Sequence, residues 1–391
     1  MDSLAQALSE ELDDLRARGI YRRQRRLEAA PGRESVLEGR PALVFGSNNY
    51  LGLTEHPQVR AAAVAAVEEW GSGASGSRLT TGNLALHEAL ERELALLKGA
   101  EAAVLFPSGY QAALGAIPAL AGREDLLLSD ALNHASLIDG CRLSRAEVRI
   151  YRHGDAEHAA ALLSDRQRFR RSLLVTDGVF SMDGDLAPLP RLRALCEATD
   201  TWLMVDDAHG TGVLGETGAG TAERFGMRDR VPIQMGTLSK ALASEGGFIA
   251  GTAVLADYLR NRARTFIFST ALAPASAGAA RAALRLVREE PERRQRLASN
   301  AAWLRAALRE LGLNVPPGET PIIPVILGSA ERAMRFSRAL EEEGVWAPAI
   351  RPPTVAEGTA RLRVSVMATH SPADLDRALG AFRRVLAARP E

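Results

Sequence analysis

Four short apolar runs, each handing over to polar residues and then to a helical stretch, constrain this chain more than any other feature. "AAVLF" (102–106) leads to "PSGYQAALGAIPAL", and "DLLLSD" (125–130) leads to "ALNHASLIDG". "SLLVTDGVFSMDGD" (172–185) leads to a helix at 190–199, and "TWLMVDDAHGTG" (201–212) ends in polar residues; "GGFIAGT" (246–252) is a later strand. Strands that are apolar without alternation are buried on both faces, and helical crossovers between them make neighbouring strands parallel. The chain is therefore expected to be α/β, with a mostly parallel central sheet covered by helices. Asn133 and His134, Asp177 through Asp185, and Asp206 through His209 all follow strand ends. Open α/β sheets bind ligands at that edge.

The flanking segments read differently. Residues 2–28 read as a charged, amphipathic helical arm. "ALVFGSNNYLGL" (42–53) is a strand running into a polar turn, and Pro57 starts a helix over 57–70. A glycine-rich loop (71–82) and a helix at about 84–98 follow. Beyond the sheet, helices near 253–263 and 274–311 lead to "TPIIPVIL" (320–327), a helix at 330–343, "ARLRVSVM" (360–367) and a last helix. That tail predicts a smaller α+β domain, in keeping with 391 residues being long for one core. The expected division is 1–45 for the arm, 46–285 for the large domain and 286–391 for the small one.

Composition excludes several functions. A formal net charge of zero gives no general attraction to nucleic acid or to an anionic membrane. No apolar stretch approaches the roughly 20 residues that cross a bilayer, and the acidic N-terminus is not a signal peptide. Cys141 and Cys196 cannot make a disulfide framework, which points to a reducing, cytoplasmic setting. Neither cysteine has the neighbours of a metal site.

Individual motifs are ambiguous. Gly71, Gly73 and Gly76 form a literal G-x-G-x-x-G, but the dinucleotide fingerprint follows a strand and this one follows a helix. Its glycines are expected instead to admit a ligand or a partner subunit. Ser108, Gly109 and Tyr110 open a helix after a strand, a place for a phosphate or for an ordinary N-cap. Asp206 closes an apolar strand with His209 three residues on. A carboxylate there wants a cationic partner, unless Asp206 or Asp207 merely caps the next turn.

The lysines sharpen the picture. Lysine plus arginine total 48, yet only Lys98 and Lys240 are lysine. Lys98 ends the "ALERELALLKG" helix, where a cation suits the helix dipole. Lys240 sits in "MGTLSKALASEGG" among small residues, where no such reason applies. Arginine cannot form an imine, because its guanidinium stays protonated; lysine can, once its site lowers the pKa. With Asp206, His209, His134, Ser181 and the helix start at 108–110, one sheet edge would hold what pyridoxal phosphate requires: a lysine for the Schiff base, a carboxylate for the ring nitrogen, histidines and a phosphate cradle.

"SNNYLGL", "TDGVFSMDGD", "VDDAHGTGVLG", "GTLSKALASEGGFIAG" and "IRPPTVAEGTARLRVS" resemble the α-oxoamine synthases, pyridoxal-phosphate enzymes of the aspartate-aminotransferase fold (fold type I). The resemblance runs from about residue 12 to the C-terminus. It implies that Lys240 carries the cofactor, that Asp206 pairs with its ring nitrogen and His209 with its phenolic oxygen, and that His134 stacks on the ring and assists acid–base steps. It implies Gly109, Tyr110, Ser181 and Thr237 as cofactor contacts, and Thr270 as a phosphate contact from the second subunit of a homodimer whose active site lies at the interface. Asn48 and Arg363 would hold the amino-acid carboxylate, and Arg22 and Thr354 the acyl substrate. "TLSK" stands where some members have "TFGK", and Tyr110 where phenylalanine is common. Within the family, "DDAHGTGV" and "IRPPTV" favour condensation of L-alanine with a pimeloyl thioester, on coenzyme A or an acyl carrier protein, in biotin synthesis. Glycine with acetyl-CoA, serine with a long acyl-CoA, and a non-catalytic cofactor-binding regulator are the alternatives.

Overall fold

The computed structural model describes residues 3–388; residues 1–2 and 389–391, the outermost positions of the expected arm and small domain, lie outside them. The arm is helical only over Ser3–Ala17, and that helix has no buried residue. Gly19, in the left-handed region at φ 66°, follows its end, and the chain then runs on without helix. The expected helix to residue 28 is therefore short by more than two turns. With no face buried, tertiary packing adds nothing to hold a longer helix. A hairpin of Glu34–Leu37 (β1) and Arg40–Val44 (β2) comes next. Its two-residue turn is Glu38 and Gly39, both at positive φ, which matches the twist of the flanking strands.

The central sheet has seven strands: Ala102–Phe106 (β3), Leu126–Asp130 (β4), Glu147–Tyr151 (β5), Ser172–Asp177 (β6), Trp202–Asp206 (β7), Ile233–Thr237 (β8) and Gly247–Gly251 (β9). Their order is β3-β9-β8-β7-β6-β4-β5. β9 runs antiparallel to both neighbours and the remaining pairs are parallel. One apolar cluster joins the sheet to helices 109–120, 135–144 and 253–262 on one face. A second joins it to helices 156–162 and 189–198 on the other.

Two of these strands are absent from the sequence reading. β5 lies at the sheet edge, and of "EVRIY" only Tyr151 is fully buried, so no apolar run marks it. β8, "IQMGT", is broken by Gln234 and Gly236. The Gln234 amide donates to the Lys98 and Arg228 carbonyls, and a side chain at Gly236 would collide with the Phe248 ring.

The expected helix over 274–311 is two, Pro274–Glu289 and Pro291–Glu310. Proline cannot continue a helix and pushes the residue before it out of helical conformation. A second sheet contains Ile322–Gly328 (β10), Ala349–Ile350 (β12) and Ala360–Ser365 (β13), in the order β10-β13-β12, and Val345–Trp346 (β11) instead joins β2 in parallel. The hairpin at 34–44 thus packs with the C-terminal part of the chain. In the loop at 71–82, a Cβ on Gly82 would overlap the Gly76 carbonyl, and one on Gly76 would meet Thr81. No close approach awaits side chains at Gly71 or Gly73. The tight glycines, Gly76 and Gly82, let the loop fold on itself.

Candidate active site

Adjacent parallel strands β6 and β7 stop in register, so Asp177 and Asp206 lie side by side at the carboxyl edge. Both are buried. Burial is the main force raising the Asp177 pKa well above the usual carboxylate value, and Asp206 raises it further. Asp206 is raised too, again chiefly by burial, while Lys240 and His134 pull it back. Its Oδ1 accepts the Ala208 amide at 3.0 Å. Two neighbouring buried carboxyls form a pronounced local demand for a cation or a strong donor.

Lys240 meets part of that demand. It follows β8 in a loop closed by Leu238 N to Gly246 O at 2.9 Å and Ser244 N to Leu238 O at 2.9 Å. Its Nζ lies 3.0 Å from His209 Nε2. Burial lowers its pKa from the ordinary lysine value, and Asp206 and Asp177 oppose the shift. His209 is buried and its pKa lies well below the ordinary histidine value, first from burial and then from Lys240 and Arg363. It is a neutral imidazole, so one ring nitrogen accepts and the other donates.

The other His209 nitrogen, Nδ1, lies 2.7 Å from the Tyr50 hydroxyl. That hydroxyl donates to Asn48 Oδ1 at 3.1 Å, and Arg363 donates to the same oxygen at 3.1 Å. Arg363 is fixed by Ser365 Oγ at 2.8 Å and by the Ser181 carbonyl. One chain of hydrogen bonds therefore joins Lys240, His209, Tyr50, Asn48 and Arg363. Tyr50 is fully buried, and burial raises its pKa, so it stays a phenol.

His134 begins the helix Ala135–Ser144, and its backbone N–H donates to Asp177 at 2.7 Å. Its Nδ1 accepts the Ser136 amide at 3.2 Å and lies 2.8 Å from the Ser136 hydroxyl. Protein atoms crowding the ring lower its pKa, against the pull of Asp206. Ser108 caps the helix Gly109–Leu120 by accepting the Gln111 amide at 3.1 Å. A Cβ on Gly247 would overlap Gly109, and one on Gly109 would press on Thr237. Only glycines let this helix start sit against β8 and β9. The free amides of the first turn thus come beside the hydroxyls of Thr237 and Ser239, which lie 3.0 Å apart.

The remaining expected residues lie elsewhere. Arg22 and Thr354 line one groove together with Tyr21, Trp346 and Arg351, between the arm and the C-terminal sheet. Thr270 is exposed and bridges to Ser77. The Tyr110 phenol donates to the Asp139 carboxylate and is 43% exposed.

Sequence reasoning assigned no role to Tyr50 or Asp177, although "SNNYLGL" and the strand-ending Asp of "SLLVTD" carry them. Lys98 does end the helix Ala85–Lys98 as expected, but its burial and its carboxylate partner were not foreseen. Lys98 is fully buried and donates to Asp207 at 2.7 Å and to the Ala219 carbonyl at 2.6 Å.

The donors and acceptors match pyridoxal phosphate group by group: a buried acid short of a cationic partner, a neutral histidine, an amine of lowered pKa, and amides with hydroxyls at a helix start. Among the described residues no cluster of three or more His, Cys, Asp or Glu is gathered for a metal ion.

Known proteins agree in fold and in sequence. The chain is 52% identical over 385 residues to the 8-amino-7-oxononanoate synthase of Geobacter sulfurreducens, covering 98% of each. It is 47% identical over 378 residues to 8-amino-7-oxononanoate synthase 2 of Bacillus subtilis, covering 97% of each. A solved serine palmitoyltransferase of Sphingomonas wittichii superposes with a TM-score of 0.92 at 34% identity, covering 99% of each chain. A solved 8-amino-7-oxononanoate synthase of Francisella tularensis superposes with a TM-score of 0.77 at 27% identity, over 89% of this chain and 98% of that one. Another neighbour, with a TM-score of 0.92 and 32% identity over 99% of each chain, is described as holding pyridoxal phosphate as its internal aldimine. Residues 40–382 match the family Aminotransferase class I and II, and the chain belongs to it.

Proposed function

We propose that the protein is a pyridoxal-phosphate-dependent acyltransferase with the activity of an 8-amino-7-oxononanoate synthase. It condenses L-alanine with a pimeloyl thioester and releases carbon dioxide, the free thiol and 8-amino-7-oxononanoate, a step of biotin synthesis. The observation that carries this reading is Lys240, desolvated and with a single neutral hydrogen-bond contact, beside two buried carboxyls.

Pyridoxal phosphate supplies an aldehyde that condenses with amines and a ring that draws electrons from the α-carbon. In our reading Asp206 holds the ring N–H, His209 Nε2 the ring hydroxyl, and His134 the ring face. The Gly109 and Tyr110 amides and the Thr237 hydroxyl hold the phosphate, with Ser181 beside the ring. Arg363 and Asn48 orient the alanine carboxylate. Arg363 is suited to that task because its position is already set by Ser365 and Ser181. The Lys240 amine, easily freed of its proton, takes the α-proton of the bound amino acid and later returns one to the product. His134 assists at the thioester carbonyl, and Arg22 and Thr354 receive the acyl chain. The common groove of those two residues supports that assignment.

We also propose residues 1–45 as an arm whose hairpin pairs with β11, 46–285 as the unit that carries the cofactor and 286–391 as the smaller unit. The active form is a homodimer in which Thr270 of one copy reaches the phosphate of the other. Exposed Leu79 and Phe268, flanking the Ser77–Thr270 bridge, support that surface. Among the described residues no helix is long and apolar enough to cross a membrane, and we place the protein in the cytoplasm.

The test is thiol release by the cofactor-loaded protein in three arms: L-alanine with pimeloyl-CoA, glycine with acetyl-CoA, and L-serine with palmitoyl-CoA. Identity of 52% to the first class against 34% to the third predicts release mainly in the first arm. Release mainly in another arm would keep the site and overturn the substrates.

A further inference from the structure

One histidine outside the site makes two ion pairs that the chemistry above does not use. His153 follows β5, and its two ring nitrogens face two carboxylates: Nδ1 lies 2.9 Å from Asp130, and Nε2 lies 2.8 Å from Asp185. The Phe180 ring packs edge-on against it, with centroids 4.3 Å apart. A neutral imidazole has one N–H and can donate to only one carboxylate; donating to both requires the cation. Burial works against that charge, but the hydrogen bonds to Asp130 and Asp185 outweigh it and raise the pKa to about 10. These two carboxylates, one closing β4 and one in the loop after β6, are the charged groups acting on the ring.

Each carboxylate belongs to a segment that carries a site residue. Asp130 is buried, and it accepts the Leu132 amide at 2.9 Å and the Gly154 amide at 2.9 Å. It thereby shapes the turn leading to His134. Asp185 closes the 180–185 loop, where its carbonyl accepts the Phe180 amide at 3.0 Å. The other side of that loop is gripped by the C-terminal sheet. Ser181 O accepts from Arg363, Asp183 pairs with Arg361, and Gly184 O accepts Thr320 Oγ1 at 2.6 Å. Gly184, at φ 68°, leaves no room for a side chain against Ile322.

We propose that His153 is a positioning residue, a cationic tie that holds the 180–185 loop, and through Ser181 the Arg363 guanidinium, in place relative to the turn bearing His134. The proposal rests on the reading of Arg363 as the anchor of the amino-acid carboxylate. A tie of this kind acts on substrate affinity through the loop, whereas a merely structural ion pair would act on stability alone.

The test measures the L-alanine dissociation constant of the cofactor-loaded protein by spectral titration, alongside its melting temperature. Asp185→Ala cuts the loop side only, at a partly exposed carboxylate, and leaves His153 paired with Asp130. It should weaken L-alanine roughly fivefold to tenfold with little change in melting temperature. His153→Ala should weaken it at least as much, and the double variant should be no weaker than His153→Ala, because both changes act through one link. Wild-type affinity in Asp185→Ala while Arg363→Ala loses affinity would overturn the tie. Wild-type affinity in Arg363→Ala would overturn the carboxylate reading instead. The tie itself is then judged by nitrogen NMR of the His153 ring, which needs no substrate. At about pH 8 the ring should carry both protons in the wild type and lose one more readily in Asp185→Ala. A singly protonated wild-type ring at that pH would overturn the tie whatever Arg363 does.

Discussion

Lys98 and Lys240 are the chain's two lysines, and each answers to one of two consecutive aspartates. Lys98 is enclosed completely. Its Nζ donates to Asp207 and to the Ala219 carbonyl. Asp207 in turn accepts the Thr221 amide at 3.1 Å and the Thr221 hydroxyl. Gly220, at φ 105°, stands where any side chain would overlap Asp207. This is an ion pair with its hydrogen bonds made, pinning the end of helix 85–98 to the turn after β7. Lys240 is only half-buried and touches a neutral histidine, while Asp206 and Asp177 act on it through space. The two sites use the same residue types in the same stretch of chain. The difference lies in saturation. An ammonium surrounded by acceptors is held as structure, and a desolvated amine whose contact is a neutral histidine is suited to react.

The comparison breaks most visibly by exchanging which lysine is lost. Lys240→Ala should reduce thiol release by about 10⁴-fold or more, since it removes both the nucleophile and the proton carrier, with a melting temperature close to wild type. Lys98→Met should do the reverse. It leaves Asp207 buried without its cation and should cost about 3–5 kcal/mol in urea unfolding, with turnover surviving at low temperature. Equal stability of Lys98→Met and wild type would dissolve the distinction. The aspartates should divide in the same way. Asp206→Asn should lower turnover by about 10²–10³-fold at full cofactor occupancy, because a preorganised charge is lost where the reaction needs it. Kinetics unchanged by that substitution would remove Asp206 from the chemistry. Tyr50→Phe deletes one hydroxyl from the Lys240–His209–Asn48 chain and should cost about 0.5–1.5 kcal/mol of transition-state stabilisation, a factor of roughly 2 to 13 in kcat/KM.

The smallest effect is one of pH. The folded pKa of Lys240 is lowered from 10.5, chiefly by burial. Between that lowered value and 10.5 the unfolded chain binds more protons at this residue than the folded one. Folding stability contributed by Lys240 therefore rises with pH across that window. Lys240→Met lacks that contribution, so the wild-type-minus-mutant difference in unfolding free energy should rise with pH when measured from neutral pH to about pH 10.

Much of this was legible in the residues because strands buried on both faces announce themselves as unbroken apolar runs. β3, β4, β6 and β7 were readable for that reason, and so were the polar residues at their ends. Lys240 stood out because the chain otherwise uses arginine. β5 was not readable, since an edge strand with charged residues looks like a loop until a neighbour supplies its hydrogen bonds. β8 was hidden because Gln234 and Gly236 are explained only by what packs against them. The short arm helix has the same origin: an amphipathic pattern persists only where another element buries its apolar side.

By itself the sequence determined the class of sheet and singled out the strand edge and the lysine on which our proposal rests, since these depend on local pattern and intrinsic reactivity. The tertiary structure alone decided which lysine is paired with a buried carboxylate and which lies against a neutral histidine. It also decided that Arg363 meets Asn48 across 315 residues and that Tyr50 joins both to His209. Those choices depend on burial and on contacts between segments far apart in the chain, and neither exists until the chain has closed.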